Sequence, residues 1–480
     1  MVRPVVVLNY TGKIIVIIGI AMLSNVICAL AFGEQIIAQL LMAALFTIGL
    51  GIILSRFNKR NNTLNYREGF AVVTLGWLAA SVLGTLPFIL TGYIPSFANA
   101  LFETVSGFTT TGASILSDVE ALPHSLLYWR SLTHWLGGMG IIVLFVSLIG
   151  GIGVQANQMF KAEVTGPVSD KLSPRIKETA RFLWLTYVVL TVILLVLLLV
   201  FGMDLFDAIC HAFGTVATGG FSTKNQSIGY WDSAAIQWVI TIFMFLCGAN
   251  FALHYQIYSK KSFKQYLLDG EFRLYTCIVI VAVALAMFGI NAVNGMVENL
   301  RAAAFQVISV MTTTGYVTMD YDQWAPIGKG VLLLLMLTGG SAGSTAGGIK
   351  VIRHLIALQR VKIELKHMLH PRAMISQKFG DKHLDESLVI SVLQFIFLYL
   401  LIALLGALVM NALGLDLLSG LSASIACLGN VGPGFAAVGP MVNYGFISDI
   451  GKYFLCLLML LGRLELYTFI LLLVPAYWRE

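Results

Sequence analysis

The chain has 480 residues, 58% of them apolar and 11% charged, with a net charge of +6. Soluble domains carry about 25% charged residues, so there are too few charges here to cover a globule of this size with water-facing surface. The composition argues against a soluble enzyme, a nucleic-acid module or a secreted scaffold, and points to an integral membrane protein.

The positive balance does not restore a nucleic-acid reading. Most of the Lys and Arg residues fall in four polar stretches, Arg56–Arg67, Lys161–Arg181, Lys260–Arg273 and Lys350–Lys382. Basic clusters between apolar segments are what cytoplasmic loops carry. The six cysteines lie in or beside apolar runs without metal-site or redox spacing, and read as small core hydrophobes.

In chain order, Ile14–Phe32 and Ile36–Leu54 form an uncleaved transmembrane hairpin turning at Gly33-Glu34-Gln35. Four longer excursions follow. Each has an outward helix (Gly69–Leu90, Glu178–Phe201, Phe272–Asn291, Ser387–Leu413) and a returning one (Ser125–Ile152, Ala234–Tyr258, Pro326–Val361, Ile447–Ala476). Between them lies a segment, such as Ala98–Phe108, too short to cross and therefore re-entrant. Ten crossings place both termini on the inner side. The units are 1–67 for the hairpin and its linker, then 68–160, 161–265, 266–370 and 371–480.

Internal repetition decides the fold class. Aligned on Gly112, Gly220, Gly315 and Gly432, the segments carry Thr110, Thr218, Thr313 and Asn430 two residues earlier. Six residues earlier stand the small residues Ser106, Gly214, Ser309 and Ala426, and twelve earlier Ala100, Ala208, Ala303 and Gly420. The chain therefore reads as an all-α polytopic membrane protein: a hairpin plus four membrane-pore-membrane repeats around a pseudo-fourfold axis.

Irregular backbone at membrane depth must be buried in protein or line a watery cavity. The strings Thr109-Thr110-Thr111-Gly112, Ala217-Thr218-Gly219-Gly220, Thr312-Thr313-Thr314-Gly315 and Gly429-Asn430-Val431-Gly432 would ring one point with carbonyls. Such a ring replaces the hydration shell of a monovalent cation. The negative ends of the four short helices would point at the same place. A single string of this kind is more simply a kink or turn; four in register favour a pore.

On these motifs the chain resembles the Trk/Ktr/HKT superfamily of K⁺ transporters, closest to the bacterial Trk-type membrane subunit, over nearly its whole length. The resemblance implies a homodimer in the bacterial inner membrane and a cytoplasmic, ring-forming RCK-type regulatory subunit that binds NAD or ATP. It maps the filter onto Thr110, Thr111, Gly112, Thr218, Gly219, Gly220, Thr313, Thr314, Gly315, Asn430, Val431 and Gly432, with K⁺ held by backbone carbonyls. In that superfamily glycine in all four filter positions accompanies K⁺ preference. Asn430, where the other repeats have threonine, marks the fourth wall as the one expected to coordinate less regularly.

Pro326–Val361 as one helix would be about 54 Å long, far beyond the hydrocarbon core. Its middle, Gly339-Gly340-Ser341-Ala342-Gly343-Ser344-Thr345-Ala346-Gly347-Gly348, cannot hold helix. The corresponding helices elsewhere carry only short glycine doublets or singles. The run reads either as a flexible loop that gates the pore or as a small-residue packing site. The resemblance favours the gate. A phosphate cradle is not supported, since the Gly-x-x-x-x-Gly-Lys-Ser/Thr pattern and a preceding strand are absent.

Arg463 lies in the apolar run Tyr453–Val474, where a charge needs a cavity or a partner. It reads as a pore-facing cation that helps set gating, or as a tie to carbonyls or to an acid such as Glu103; the resemblance favours the pore. Nine residues before the glycines, Glu103, His211, Gln306 and Ala423 occupy equivalent places, and the first three are expected to brace the pore helices. His134 reads as a satisfied core histidine. Asp118, Glu120, Asp320, Asp322 and Asp449 are expected on the outer surface.

Basic inner loops suit anionic lipid headgroups or an acidic partner surface. No nucleophile–base pair or metal cluster suggests an enzyme, and the chain itself is expected to carry no cofactor. An obligatory H⁺- or Na⁺-coupled symporter is the alternative. It would show an inverted twofold repeat, whereas these strings succeed one another in the same direction.

Overall fold

The structure, a computed structural model, describes residues 2–57, 64–138, 140, 176–260, 262–290, 295–372, 378–379 and 382–479. It is helical apart from a short antiparallel pairing of Lys378–Phe379 with Lys382–His383. Among the described residues, six helices are long and apolar enough to cross a membrane: Pro4–Ala31, Ile37–Ser55, Arg67–Thr91, Ala180–Val200, Gly270–Met287 and Glu386–Ala412. Their outward faces carry apolar side chains, Val189, Val196 and Val200 on one and Phe397, Leu404 and Leu408 on another. Apolar residues exposed in rows along long helices suit lipid rather than water.

The N-terminal helix begins ten residues before the expected Ile14, at Pro4, whose fixed φ suits a first helical turn. Arg3 pairs with Glu68 at 2.7 Å and anchors this start to the third helix. Gly12 and Gly51 pack the hairpin backbone to backbone. A Cβ on Gly51 would sit 2.8 Å from the Gly12 carbonyl oxygen and from the Val16 amide nitrogen.

Four shorter helices, largely buried over their second halves, are Phe97–Phe108, Leu205–Val216, Met296–Met311 and Leu417–Leu428. Three have 12 residues, about 18 Å of rise, so they cannot span. Ser96, Asp204 and Asp416 cap the starts of three with side-chain oxygens. Their C-terminal halves, including Phe108, Val216, Val310 and Leu428, are buried in the core.

The returning helices depart from expectation. A break was expected only in the third, where Pro326–Thr338 and Val351–Leu369 are indeed separate. The second also bends, by 98° between Ala234–Cys247 and Phe251–Ile257. The fourth bends by 118° between Asp449–Arg463 and Tyr467–Leu473. Each of these two breaks follows a glycine that abuts a short helix. A Cβ on Gly248 would meet Thr312 Cγ2 at 2.6 Å, and one on Gly462 would collide with the Leu428 carbonyl. Helix and short-helix end cannot both pass through the same space, so the chain turns aside. The first returning helix is described over His124–Gly138; the remainder of the expected Ser125–Ile152, and most of Lys161–Arg181, lie outside the described residues.

Gly51→Leu is expected to destabilise the hairpin by about 1–3 kcal/mol, read as a lowered unfolding temperature in detergent.

Candidate functional site

All four short helices end in the same way. The helix closes on Thr109, Ala217, Thr312 and Gly429, and the following Thr110, Thr218, Thr313 and Asn430 adopt φ of 56°, 53°, 55° and 55°. The next amide donates back to the carbonyl six residues before the glycine: Thr111 to Ser106 (2.9 Å), Gly219 to Gly214, Thr314 to Ser309 and Val431 to Ala426 (each 2.8 Å). This is the Schellman closure of a helix end, with its left-handed residue. That position normally takes glycine. A β-branched residue there is an outlier, storing about 1–3 kcal/mol of strain in each threonine string.

The glycines that follow have φ of 81°, 81°, 80° and 97°. Alternation of positive and negative φ turns successive carbonyls toward one side of each string. The strings also close on one another. A Cβ on Gly112 would strike the Gly219 carbonyl oxygen; on Gly220, that of Thr314; on Gly315, that of Val431; on Gly432, that of Thr111. Each glycine thus faces the residue preceding the next glycine, and the fourth returns to the first. Eight of the twelve expected filter residues make these cyclic contacts, and Thr110, Thr218, Thr313 and Asn430 are the left-handed residues just before them.

A second cyclic set lies just beyond. Arg130 donates to the Ser222 carbonyl (3.2 Å), Tyr316 Oη to that of Phe221 (3.3 Å), Tyr321 Oη to that of Gly434 (3.0 Å), and the Tyr444 amide to that of Ser114 (2.8 Å). On this side the ring opens into a cavity lined by Gly112, Gly220, Gly315 and Pro433. The backbone at Asn430 follows that of Thr110, Thr218 and Thr313. Its side chain turns behind the ring, donating to Thr111 Oγ1 (3.0 Å) and the Met459 carbonyl (2.9 Å). The fourth wall differs two residues later, where the Gly432 carbonyl accepts from Tyr444 Oη at 2.7 Å.

The residues nine before the glycines tie the short helices to the segments leaving the ring. Glu103 accepts from Ser114 Oγ (3.0 Å) and the Ile115 amide (3.0 Å), His211 Nε2 bonds Ser222 Oγ (2.9 Å), and Gln306 donates to Thr318 Oγ1 (3.3 Å). In the fourth repeat Ala423 cannot, and Ser422 Oγ accepts the Phe435 amide (3.0 Å). His134 is satisfied on both nitrogens. Its Nε2 faces the Phe221 amide (3.1 Å), which can only donate, so Nδ1 carries the proton toward the Gly107 carbonyl (2.7 Å). Of the five expected surface acids, Asp118, Glu120 and Asp449 are exposed, and Asp320 and Asp322 are half-buried.

Opposite the cavity lies the glycine-rich segment, buried and tied rather than loose. Thr345 Oγ1 donates to the Val216 carbonyl (3.2 Å), and the Gly347 amide donates to Thr313 Oγ1 (2.7 Å). A Cβ on Gly347 would collide with the Gly429 carbonyl. The segment therefore underlies strings two, three and four. Arg463 completes the contact. It donates to Thr110 Oγ1 (3.2 Å), to the Thr345 carbonyl (2.9 Å) and to those of Gly137 (2.6 Å) and Gly138 (2.8 Å). The tie to carbonyls is present; Glu103 is not its acid, being paired with Arg130 at 2.7 Å, and Glu465 pairs with Arg353 at 2.6 Å.

Sequence reasoning missed Arg130 and Glu271. Arg130, 2% exposed, is a charge inside an apolar helix, the signal that singled out Arg463. Glu271 stands at the edge of a basic stretch, where nothing in composition marks it. Its Oε1 accepts the amides of Ala342 (2.7 Å) and Ile352 (3.0 Å).

Several long apolar helices, with apolar side chains along their outward faces, define a polytopic helical membrane protein. A family model described as cation transport protein, TrkH, matches residues 33–479. The Trk system potassium uptake protein TrkH of Escherichia coli strain K12 is 40% identical over 427 residues, 88% of each chain. TrkG of the same organism is 36% identical over 482 residues, covering 99% of each. The crystal structure of the potassium transporter TrkH from Vibrio parahaemolyticus superposes with a TM-score of 0.88 at 33% identity, over 99% of this chain and 100% of that one. The chain belongs to the TrkH family of cation transport proteins, a family of transporters and not of enzymes.

Glu103→Ala would strand the buried Arg130 charge and is expected to cost about 3–5 kcal/mol. Glu103→Leu combined with Arg130→Met is expected to cost less than that single change, as thermal unfolding in detergent would register.

Proposed function

We propose that the chain takes up K⁺ across the bacterial inner membrane through a gated pore whose filter is the four-string ring. The observation that carries this is the cyclic closure, in which each filter glycine faces the next string's carbonyl and the fourth faces the first. Carbonyls of Thr110, Thr111, Thr218, Gly219, Thr313, Thr314, Asn430 and Val431, with the four glycines, replace the water of a dehydrated ion. Glycine at all four positions accords with K⁺ preference. The names of the relatives, potassium uptake proteins, support the same cargo.

In this reading ten crossings form a hairpin (1–67) and four membrane-pore-membrane units (68–160, 161–265, 266–370, 371–480) around a pseudo-fourfold axis, with both termini inside. The segment Gly339–Gly348 is the gate, lying across the inner face of the filter, and Arg463 holds it there while presenting positive charge to the ion path. Two chains associate, and a cytoplasmic subunit of the RCK type that binds NAD or ATP acts on the gate from the inner loops; anionic lipid meets the same basic loops. The cyclic, same-direction succession of strings supports a pore over the inverted twofold plan of an H⁺- or Na⁺-coupled symporter.

Rb⁺ and Na⁺ flux in liposomes tests the reading. Gly112→Ser and Gly315→Ser are expected to lower the Rb⁺/Na⁺ ratio about tenfold, equivalent to about 1.4 kcal/mol, because the added atom pushes a neighbouring carbonyl off the ring. Arg463→Ala and a chain shortened by deletion of 342–346 are expected to raise flux at an unchanged ratio. Wild-type ratios in both glycine variants would remove the filter assignment, and wild-type flux in both others would remove the gate.

A further inference from the structure

The gate segment has a neck and two tethers. At the neck, the amides of Ile349, Lys350 and Val351 donate to the carbonyls of Leu337 (3.2 Å), Thr338 (3.0 Å) and Gly340 (3.0 Å), so the segment leaves and re-enters at one point. Just inside the neck on one side is the Ala342 amide. Just outside it on the other is the amide of Ile352, the second residue of the inner helix Val351–Leu369. Both amides are donated to the same atom, Oε1 of Glu271, at 2.7 and 3.0 Å. Glu271 is 4% exposed. A carboxylate at a helix N-terminus is favoured by the helix dipole, and one that also accepts a loop amide holds loop and helix in a single arrangement.

We infer that Glu271 is a positioning residue that latches the gate segment shut by accepting both amides with one carboxylate oxygen. The inference rests on the gate reading above. Movement of the segment away from the filter shifts Ala342 relative to the inner helix, so one of two buried charge-assisted bonds must break. Loss of the acceptor leaves both amides without that partner and removes the preference for the closed arrangement.

The latch also lies where an inner-side signal would arrive. Glu271 is the second residue of the helix Gly270–Met287, whose start is capped by Asp269 accepting the Phe272 amide at 2.6 Å. The short helix Lys264–Leu268 precedes it, and there Tyr266 Oη meets His254 Nδ1 at 2.6 Å. His254 belongs to the bent helix whose first amide, on Phe251, donates to the Gly343 carbonyl at 3.1 Å. The basic inner linker thus reaches the gate segment by two routes, one at Gly343 and one through Glu271.

The test is Rb⁺ uptake by the full-length chain alone in liposomes, comparing wild type, Glu271→Gln, Glu271→Ala and the 342–346 deletion, with elution profile and unfolding temperature recorded for each. Glu271→Ala is expected to raise flux about fivefold. Glu271→Gln keeps an acceptor but not the charge, and is expected to raise it about twofold, with the Rb⁺/Na⁺ ratio unchanged in both. A residue serving only to stabilise the fold would lower flux together with yield, so the direction of change separates the two roles. If Glu271→Ala does not fold, Glu271→Gln carries the test, and flux at or below wild type overturns the latch. Wild-type flux in both Glu271 variants beside raised flux in the deletion refutes the latch and leaves the gate standing. Wild-type flux in the deletion as well refutes the gate and the latch together.

Discussion

Four backbones meet with no room for a side chain between them. The missing Cβ of each filter glycine is the space into which the next string's carbonyl fits, and the remaining features follow from that crowding. The short helices must stop where they do, because a further helical turn would carry side chains into the ring. They stop by turning left-handed at a threonine or asparagine, which sends the chain back out along a path of alternating φ. Strain of this kind persists only where surroundings over-determine it, and here they do.

The bracing is supplied by groups that differ chemically while doing one job. Glu103 with Arg130, His211 with Ser222, Gln306 with Thr318, and Ser422 with the Phe435 amide each hold the outgoing segment of one repeat. Neighbouring repeats are then sewn together by Arg130, Tyr316, Tyr321 and Tyr444. Hydrogen bonds and one buried ion pair thus hold the ring from behind. The glycine-rich segment is held differently, by hydrogen bonds of Arg463, Thr313 and Thr345 that link it to the strings and the helix ends before them. On the proposed function, a rigid filter and a detachable floor would thereby be built from the same four helix ends.

Much of this was legible in the sequence because it repeats. The alignment of Gly112, Gly220, Gly315 and Gly432 fixed the offsets at two and six residues, and those turn out to be the left-handed residue and the acceptor of a helix-closing bond. The break at Gly339–Gly348 was legible because five glycines in ten residues cannot stay helical. The bends after Cys247 and Arg463 were not, because Gly248 and Gly462 stand as single glycines in apolar runs. Only packing against Thr312 and Leu428 reveals why the helix turns. Asn430 was read as an irregular wall from its side chain, yet the left-handed region tolerates asparagine readily, so the backbone does not notice the change. Glu271 was invisible for the opposite reason, since its partners are backbone amides, which sequence patterns do not display.

The central claim is that the four strings jointly enclose one dehydrated alkali ion. Anomalous diffraction from crystals of the protein grown in Rb⁺ tests it most directly. The account predicts a peak on the axis of the ring, equidistant from the carbonyls of Thr111, Gly219, Thr314 and Val431. A well-ordered ring without such a peak, with Rb⁺ bound instead at a single string or between the long helices, would contradict it.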